Sequence, residues 1–263
     1  MIKSAEIRDK VFKSPGFSTD LNLSPGELTR IREAIVEQWL SAISERYPGL
    51  VEQFREYGIA SYHKLAHLVD HQLLWGKETR LLPQNVVETI AQLAFMEKLR
   101  NVFGEFSISD VVHRNTVMHG KKEIYWRIVR PRVIDDVGPI HADKWFHNIS
   151  GPGCGMFPAG FVTVKVWIPI FCELGKSGLV VIPNSHKLDW QYEYIEKDGI
   201  KKPNILENVS LLRSELVPTQ PGTLLLFNER LLHGGSINHG EKTRVSTEIT
   251  LVLKGDEKYK FEQ

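Results

Sequence analysis

His141 and Asp143 stand two apart in GPIHADKWFH, residues 138–147, between segments that read as buried strand. In a strand, residues i and i+2 share a face, so this imidazole and this carboxylate would enter one cavity while Ala142 points away. A divalent metal needs a further ligand from a distant strand, and LLLFNERLLHGGSINHGEKTR offers His233 and His239. His233 is preferred, because it follows an apolar run and precedes two glycines that let the backbone approach a ligand closely. Two imidazoles and one carboxylate on one face of an ion leave positions open, the arrangement of non-haem Fe(II) oxygenases. An HxD pair alone is common by chance and gains weight only from partners in reach.

Those partners follow in order: HAD, then KSGLVVIPNSHK, then QPGTLLLFNERLLHGG, then TR, with Arg244 eleven residues past His233. Over roughly residues 124–253 the chain resembles the phytanoyl-CoA dioxygenase-like family of Fe(II)/2-oxoglutarate-dependent oxygenases. The resemblance implies a double-stranded β-helix, a jelly-roll of cupin type, whose mouth holds Fe(II) on His141, Asp143 and His233. It also implies O2 and 2-oxoglutarate as co-substrates, hydroxylation of a small-molecule substrate, and release of succinate and CO2. A guanidinium suits the remote carboxylate of 2-oxoglutarate, since it binds bidentately and stays charged. Arg244 fits, with Ser246 on the same strand face. By the same resemblance Trp167 walls the co-substrate pocket, and Lys165, which shares its face, is a second candidate to assist. Halogenases of the family carry a small residue where Asp143 stands, so hydroxylation or a related oxidation is expected. Asn184 replaces the glycine of the usual PGSH turn and tolerates positive φ; Thr223 replaces a frequent acidic residue.

The elements that must position these residues divide the chain. LSPGELTRIREAIVEQWLSAISERYPG opens with a capping box, Ser24 as N-cap, Pro25 first and Glu27 third, and Leu28, Ile31, Ile35 and Trp39 recur at helical spacing. Further helices are expected over 60–75 and 84–103. After Gly104 come short apolar runs bounded by Gly, Pro or Asn, as in an all-β layer. The expectation is therefore α+β: a single domain over 1–263, mainly helical over 1–104, with a double-stranded β-helix core over 105–263. The insert 187–210 reads as a lid loop, with GIKKPN, 199–204, as a turn within it. Alternation separates Trp126, Ile128 and Arg130 from Tyr125 and Arg127 without saying which set faces inward.

Other features carry milder readings. His63, His67 and His71 are four apart, a spacing that can bind zinc on a helix, but Leu65, Leu68 and Val69 make that stripe the solvated side of an amphipathic helix. His147, His186 and His239 are read as capping turns or supporting the site, and Lys144 and Trp145 as bordering the substrate or an exposed loop. Cationic residues in VVHRNTVMHGKK and RIVRPR suit either an anionic group on the substrate or structural ion pairs. Lys plus Arg number 33 against 32 Asp plus Glu, so no global field gathers nucleic acid or an anionic membrane, and neither partner is expected. Cys154 and Cys172 form no CxxC pair, the N-terminus carries no apolar signal segment, and a cytoplasmic location follows. A cupin-like barrel using the same triad for hydrolysis or isomerisation is the rival enzyme, and a non-catalytic ligand-binding barrel the rival from another class. Arg244 discriminates, because a hydrolase has no need of a buried guanidinium across from its metal.

Overall fold

The computed structural model describes residues 3–113, 116–148, 157, 160–197 and 200–255; Cys154 and the end of the tail KGDEKYKFEQ lie outside them. The helices are α1 (Ser4–Phe12), α2 (Pro25–Arg46), α3 (Val51–Tyr57), α4 (His71–Leu74), α5 (Gln84–Ala91) and α6 (Ala94–Phe103). The strands are β1 (Phe17–Asn22), β2 (Phe106–Ile108), β3 (Asp110–His113), β4 (Thr116–Lys122), β5 (Ile124–Val129), β6 (Phe161–Phe171) and β7 (Leu179–Val181). They continue with β8 (Tyr192–Lys197), β9 (Ile200–Ile205), β10 (Glu215–Leu216), β11 (Thr223–Asn228), β12 (His233–Gly235) and β13 (Arg244–Lys254). No helix among the described residues is long and apolar enough to cross a membrane.

Helix α2 starts where its capping box says it should. Ser24 Oγ accepts from the Glu27 amide at 3.3 Å, while Glu27 Oε2 accepts from the Ser24 amide at 2.7 Å. The other Glu27 oxygen accepts the Phe95 amide at 2.7 Å, so one buried carboxylate satisfies orphan donors at the starts of both α2 and α6. This explains why 84–103 is two helices and not one: Leu93 is extended at the break, and α6 is capped afresh by a residue 68 positions away.

The stretch 60–75 also departs from the expected continuous helix. It forms 3-10 turns at Ile59–Lys64 and Ala66–Leu68 before α4, whose N-cap Asp70 accepts from the Leu73 amide. The three histidines consequently share no face. His63 Nδ1 lies 3.0 Å from Thr243 Oγ1, His67 is exposed, and His71 sits between Tyr62 Oη at 2.9 Å and Asp136 Oδ1 at 3.5 Å.

All strand pairings are antiparallel. The larger sheet runs β1-β11-β6-β13-β2, with β5 also paired to β13; the smaller runs β10-β7-β12. Because β1 pairs with β11, the N-terminal stretch is woven into the larger sheet as well as packed upon it. Period-two alternation splits that sheet's faces. Trp126, Ile128, Val164, Val166, Ile168, Leu224, Leu226, Val245 and Ile249 join the helices in one apolar core. From the opposite face Trp167, Leu225 and Phe227 meet Leu179, Val181, Val217 and Leu231, which holds the smaller sheet against the larger.

The insert 187–210 is not a featureless loop. Tyr192–Lys197 and Ile200–Ile205 pair as a hairpin, so most of GIKKPN, expected as a turn, is strand β9. Trp145 stacks on Tyr192 with centroids 4.6 Å apart, and Tyr194 Oη donates to the Trp145 carbonyl at 2.8 Å. This ties the hairpin to the segment that carries Asp143.

Candidate metal centre

His141, Asp143 and His233 converge, each offering a ligand atom within 4.8 Å of the others. The expected strand geometry is not what does this. His141 is held by an isolated bridge to His233, with reciprocal amide-to-carbonyl bonds of 2.9 Å, and Asp143 begins the 3-10 turn Asp143–Asn148. Gly234 and Gly235 are needed for that bridge. A Cβ on Gly235 would come within 2.6 Å of Val137 Cγ1, and one on Gly234 within 3.1 Å of the Pro139 carbonyl. The glycines therefore admit the chain that carries His141, not a ligand directly.

Both imidazoles are oriented by main chain. His141 Nδ1 is 2.8 Å from the Pro139 carbonyl and His233 Nδ1 is 2.9 Å from the Leu231 carbonyl. A carbonyl only accepts, so each Nδ1 carries the proton and each Nε2 presents a lone pair. Those Nε2 atoms lie 3.7 and 3.8 Å from the same Asp143 oxygen, Oδ1. Burial pushes His233 down to about 4, so it is a neutral ligand at physiological pH. Burial by itself would raise the Asp143 carboxyl; the Lys165 ammonium, His233 and His141 instead hold it well below the usual carboxylate range.

Glu229, which the sequence reading passed over, fastens this segment. It is 6% exposed; Oε2 accepts from the Thr163 amide at 2.8 Å and hydroxyl at 2.7 Å, and Oε1 from Lys144 Nζ at 2.8 Å. Lys144 is thereby tied to Glu229 and helps to hold the turn. His147, beside Glu229 at 3.9 Å and pushed down to about 4 by burial, belongs to the same support; His186 is buried in the turn after Asn184, whose φ is 65°. His239 is exposed.

Arg244 is 2% exposed, donates from Nη1 to the Gly178 carbonyl at 2.6 Å, and lies with Cζ 5.6 Å from the Trp167 ring centroid. Its Nε is buried with no hydrogen-bond partner among the described residues, and so are Ser246 Oγ, Ser177 Oγ and Thr219 Oγ1. Burying a cation and several polar atoms without partners is costly, and a bound carboxylate would satisfy them. Lys165 is not beside Arg244 in this scheme: its Nζ donates to Thr250 Oγ1 at 2.9 Å and lies 3.6 Å from Asp143 Oδ2.

The open question of β5 is settled by register. Tyr125 stands opposite Glu248 and Arg127 opposite Ser246, on the face of Arg244 and Lys165, whereas Trp126 is fully buried against the helices. Arg127 Nε donates to Glu248 Oε1 at 2.9 Å and its Nη2 to Tyr125 Oη at 3.0 Å. Its side chain retains 42% exposure. Three other basic residues of these stretches are in ion pairs: Lys122 with Asp110, Arg130 with Asp136, and Arg132 with Glu241.

A family model described as phytanoyl-CoA dioxygenase (PhyH) matches residues 23–246. Among solved structures, the chain is similar to the apo non-heme monooxygenase ThoJ, with TM-score 0.56 and 13% identity over 97% of this chain and 80% of that one. It is also similar to the epimerase SnoN in complex with Fe3+, alpha ketoglutarate and nogalamycin RO, with TM-score 0.53 and 12% identity over 95% and 83%. At such identities the likeness is one of fold. No curated protein sequence matches the chain.

Proposed function

The chain belongs to the phytanoyl-CoA dioxygenase family, and on that premise we propose that it is an Fe(II)- and 2-oxoglutarate-dependent oxygenase hydroxylating a small-molecule metabolite. The double-stranded β-helix expected of the family, here one domain over 1–263, is the reading that the two facing antiparallel sheets support. One observation carries the proposal: His141, Asp143 and His233 converge while buried Arg244 has no hydrogen-bonding carboxylate among the described residues. The donor set suits a non-haem iron, with two imidazoles, one carboxylate and open positions.

When bound, iron and 2-oxoglutarate supply the oxidising power, with loss of CO2 and formation of succinate. The chain's own residues do the rest. The Pro139 and Leu231 carbonyls fix the imidazole tautomers. Arg244 pairs with the remote carboxylate of the co-substrate, Ser246 adds a hydroxyl, and Trp167 walls the pocket and excludes water. Arg127, with donor capacity beyond its bonds to Glu248 and Tyr125, is where an anionic group on the substrate finds a cation. A cupin-like hydrolase would gain nothing from burying Arg244 with an unsatisfied Nε.

Anaerobic addition of Fe(II) and then 2-oxoglutarate should produce a weak visible charge-transfer band, and aerobic incubation with metabolite pools should release succinate. Labelled O2 appearing in the product identifies hydroxylation as the outcome. Failure to bind Fe(II), or binding without the band, would overturn the proposal.

A further inference from the structure

The two oxygens of Asp143 have different surroundings. Oδ1 is the atom shared by the two imidazoles, 3.7 Å from His141 Nε2 and 3.8 Å from His233 Nε2. Oδ2 is buried without a hydrogen-bond partner among the described residues and lies 3.6 Å from Lys165 Nζ. The ammonium is itself held. Lys165 projects from β6 between Phe227 of β11 and Thr250 of β13, its side chain is 12% exposed, and Nζ donates to Thr250 Oγ1 at 2.9 Å. A positive charge beside a divalent cation opposes metal binding by simple Coulomb repulsion, so metal affinity gives no reason for a lysine here. A reason appears on counting coordination positions. A carboxylate can bind an ion through one oxygen or both. Binding through both would take a position that a chelating keto acid needs.

We propose that Lys165 is a positioning residue whose ammonium occupies Asp143 Oδ2, so that Asp143 holds the metal through Oδ1 alone and the site stays open for a bidentate co-substrate. This rests on the metal-centre reading above and changes the part given to Lys165: it acts on the metal-binding carboxylate, not on 2-oxoglutarate. Partners that orient metal ligands are worth about 10–100-fold in metal affinity or activity when removed; here the loss is expected in co-substrate binding, which needs the open position, and not in metal affinity.

The test uses Co(II) as the probe metal, without and then with 2-oxoglutarate. In the metal-only protein, Lys165→Met should alter the Co(II) d–d spectrum and shorten the metal-to-carboxylate-carbon distance seen by X-ray absorption, as Oδ2 joins the ion. Co(II) should bind at least as tightly as to the wild type, whereas 2-oxoglutarate affinity should fall about tenfold or more. Lys165→Arg, which keeps a cation over Oδ2, should retain the wild-type spectrum. Thr250→Val, which frees the ammonium without deleting it, should shift the spectrum in the same direction by less, and it decides the matter if Lys165→Met does not fold. An unchanged metal-only spectrum in both Lys165→Met and Thr250→Val, with weakened 2-oxoglutarate binding, would overturn the proposal in favour of direct contact with the co-substrate. Weakened Co(II) binding in Lys165→Met would reduce Lys165 to a structural role and overturn it too. Wild-type protein that takes up no Co(II) would bring down the metal reading itself, a failure visible before any variant is made.

Discussion

The two faces of β13 differ by a single residue step and by everything else. Val245, Ile249, Leu251 and Leu253 pack into the apolar core with the helices, while Arg244, Ser246, Glu248 and Thr250 look toward the candidate centre. Strands β5 and β6 repeat the division: Trp126, Val164, Val166 and Ile168 go one way, and Tyr125, Arg127, Lys165 and Trp167 the other. One face supplies hydrophobic stabilisation, roughly 25 cal/mol for each Å2 of apolar surface removed from water. The other keeps buried charge, which is tolerable only where each charge is paired or awaits a ligand. Arg127 is matched by Glu248 and Lys165 by Asp143, whereas Arg244 donates to the Gly178 carbonyl and keeps its Nε without a hydrogen-bond partner among the described residues. In this sheet, the stability and the chemistry lie on opposite sides of the same backbone.

Substitutions on the two faces should therefore fail in different ways. His233→Ala should abolish Fe(II) uptake in equilibrium dialysis and reduce succinate formation to background, with the unfolding transition of the apo-protein little moved. Trp126→Ala should do the reverse, lowering unfolding free energy by about 3–5 kcal/mol in denaturant titration while the folded fraction keeps its turnover number. A large loss of turnover in that variant would break the division between the faces. Arg244→Ala should raise the apparent KM for 2-oxoglutarate about ten- to hundredfold, the equivalent of a charge-assisted contact of roughly 1.5–3 kcal/mol.

Acid titration sharpens the same contrast. Burial would raise the Glu248 carboxyl, but Arg127, Lys165 and the Tyr125 hydroxyl bring it down to about 2 from an ordinary 4.5. A carboxyl depressed in the folded state adds stability above its unfolded value and loses it as pH falls toward 2. Glu248→Gln should erase that part of the acid profile and cost about 1–2 kcal/mol at neutral pH, the pair being discounted for the half-exposed Arg127. His71, pushed down to about 4 by burial, works in a higher window. Between pH 6.5 and 4 its unfolded form takes up a proton that the folded form refuses, so stability declines as pH falls through that range. His71→Asn should flatten this small slope.

What could be read in the sequence was local or periodic. The capping box at Ser24 and Glu27 fixes the start of α2 from neighbouring atoms, and alternation on β6, β11 and β13 separates their faces without any tertiary information. The HAD segment, the double glycine after His233 and the position of Arg244 were visible because they are short patterns. The continuous helix expected over 60–75 does not form, because Asp70 recaps the chain and Thr243, 180 residues from His63, engages that histidine. The hairpin at 192–205 was missed although Asp198-Gly199 between alternating residues is a hairpin signal. For Glu229 no local signal existed, since its partner Thr163 lies 66 residues away.

The sequence by itself determined which residues alternate and which types stand at the ends of strands, since backbone period and side-chain chemistry are properties of each short segment. The tertiary structure decided direction: that Arg127 and not Trp126 shares the face of Arg244, that Lys165 meets Asp143, and that a bridge between His141 and His233 brings their imidazoles together. The physical reason is that burial on both faces makes a strand's alternation ambiguous. Only the register with its neighbours, set by hydrogen bonds between distant segments, assigns one face to the helices and the other to the candidate metal centre.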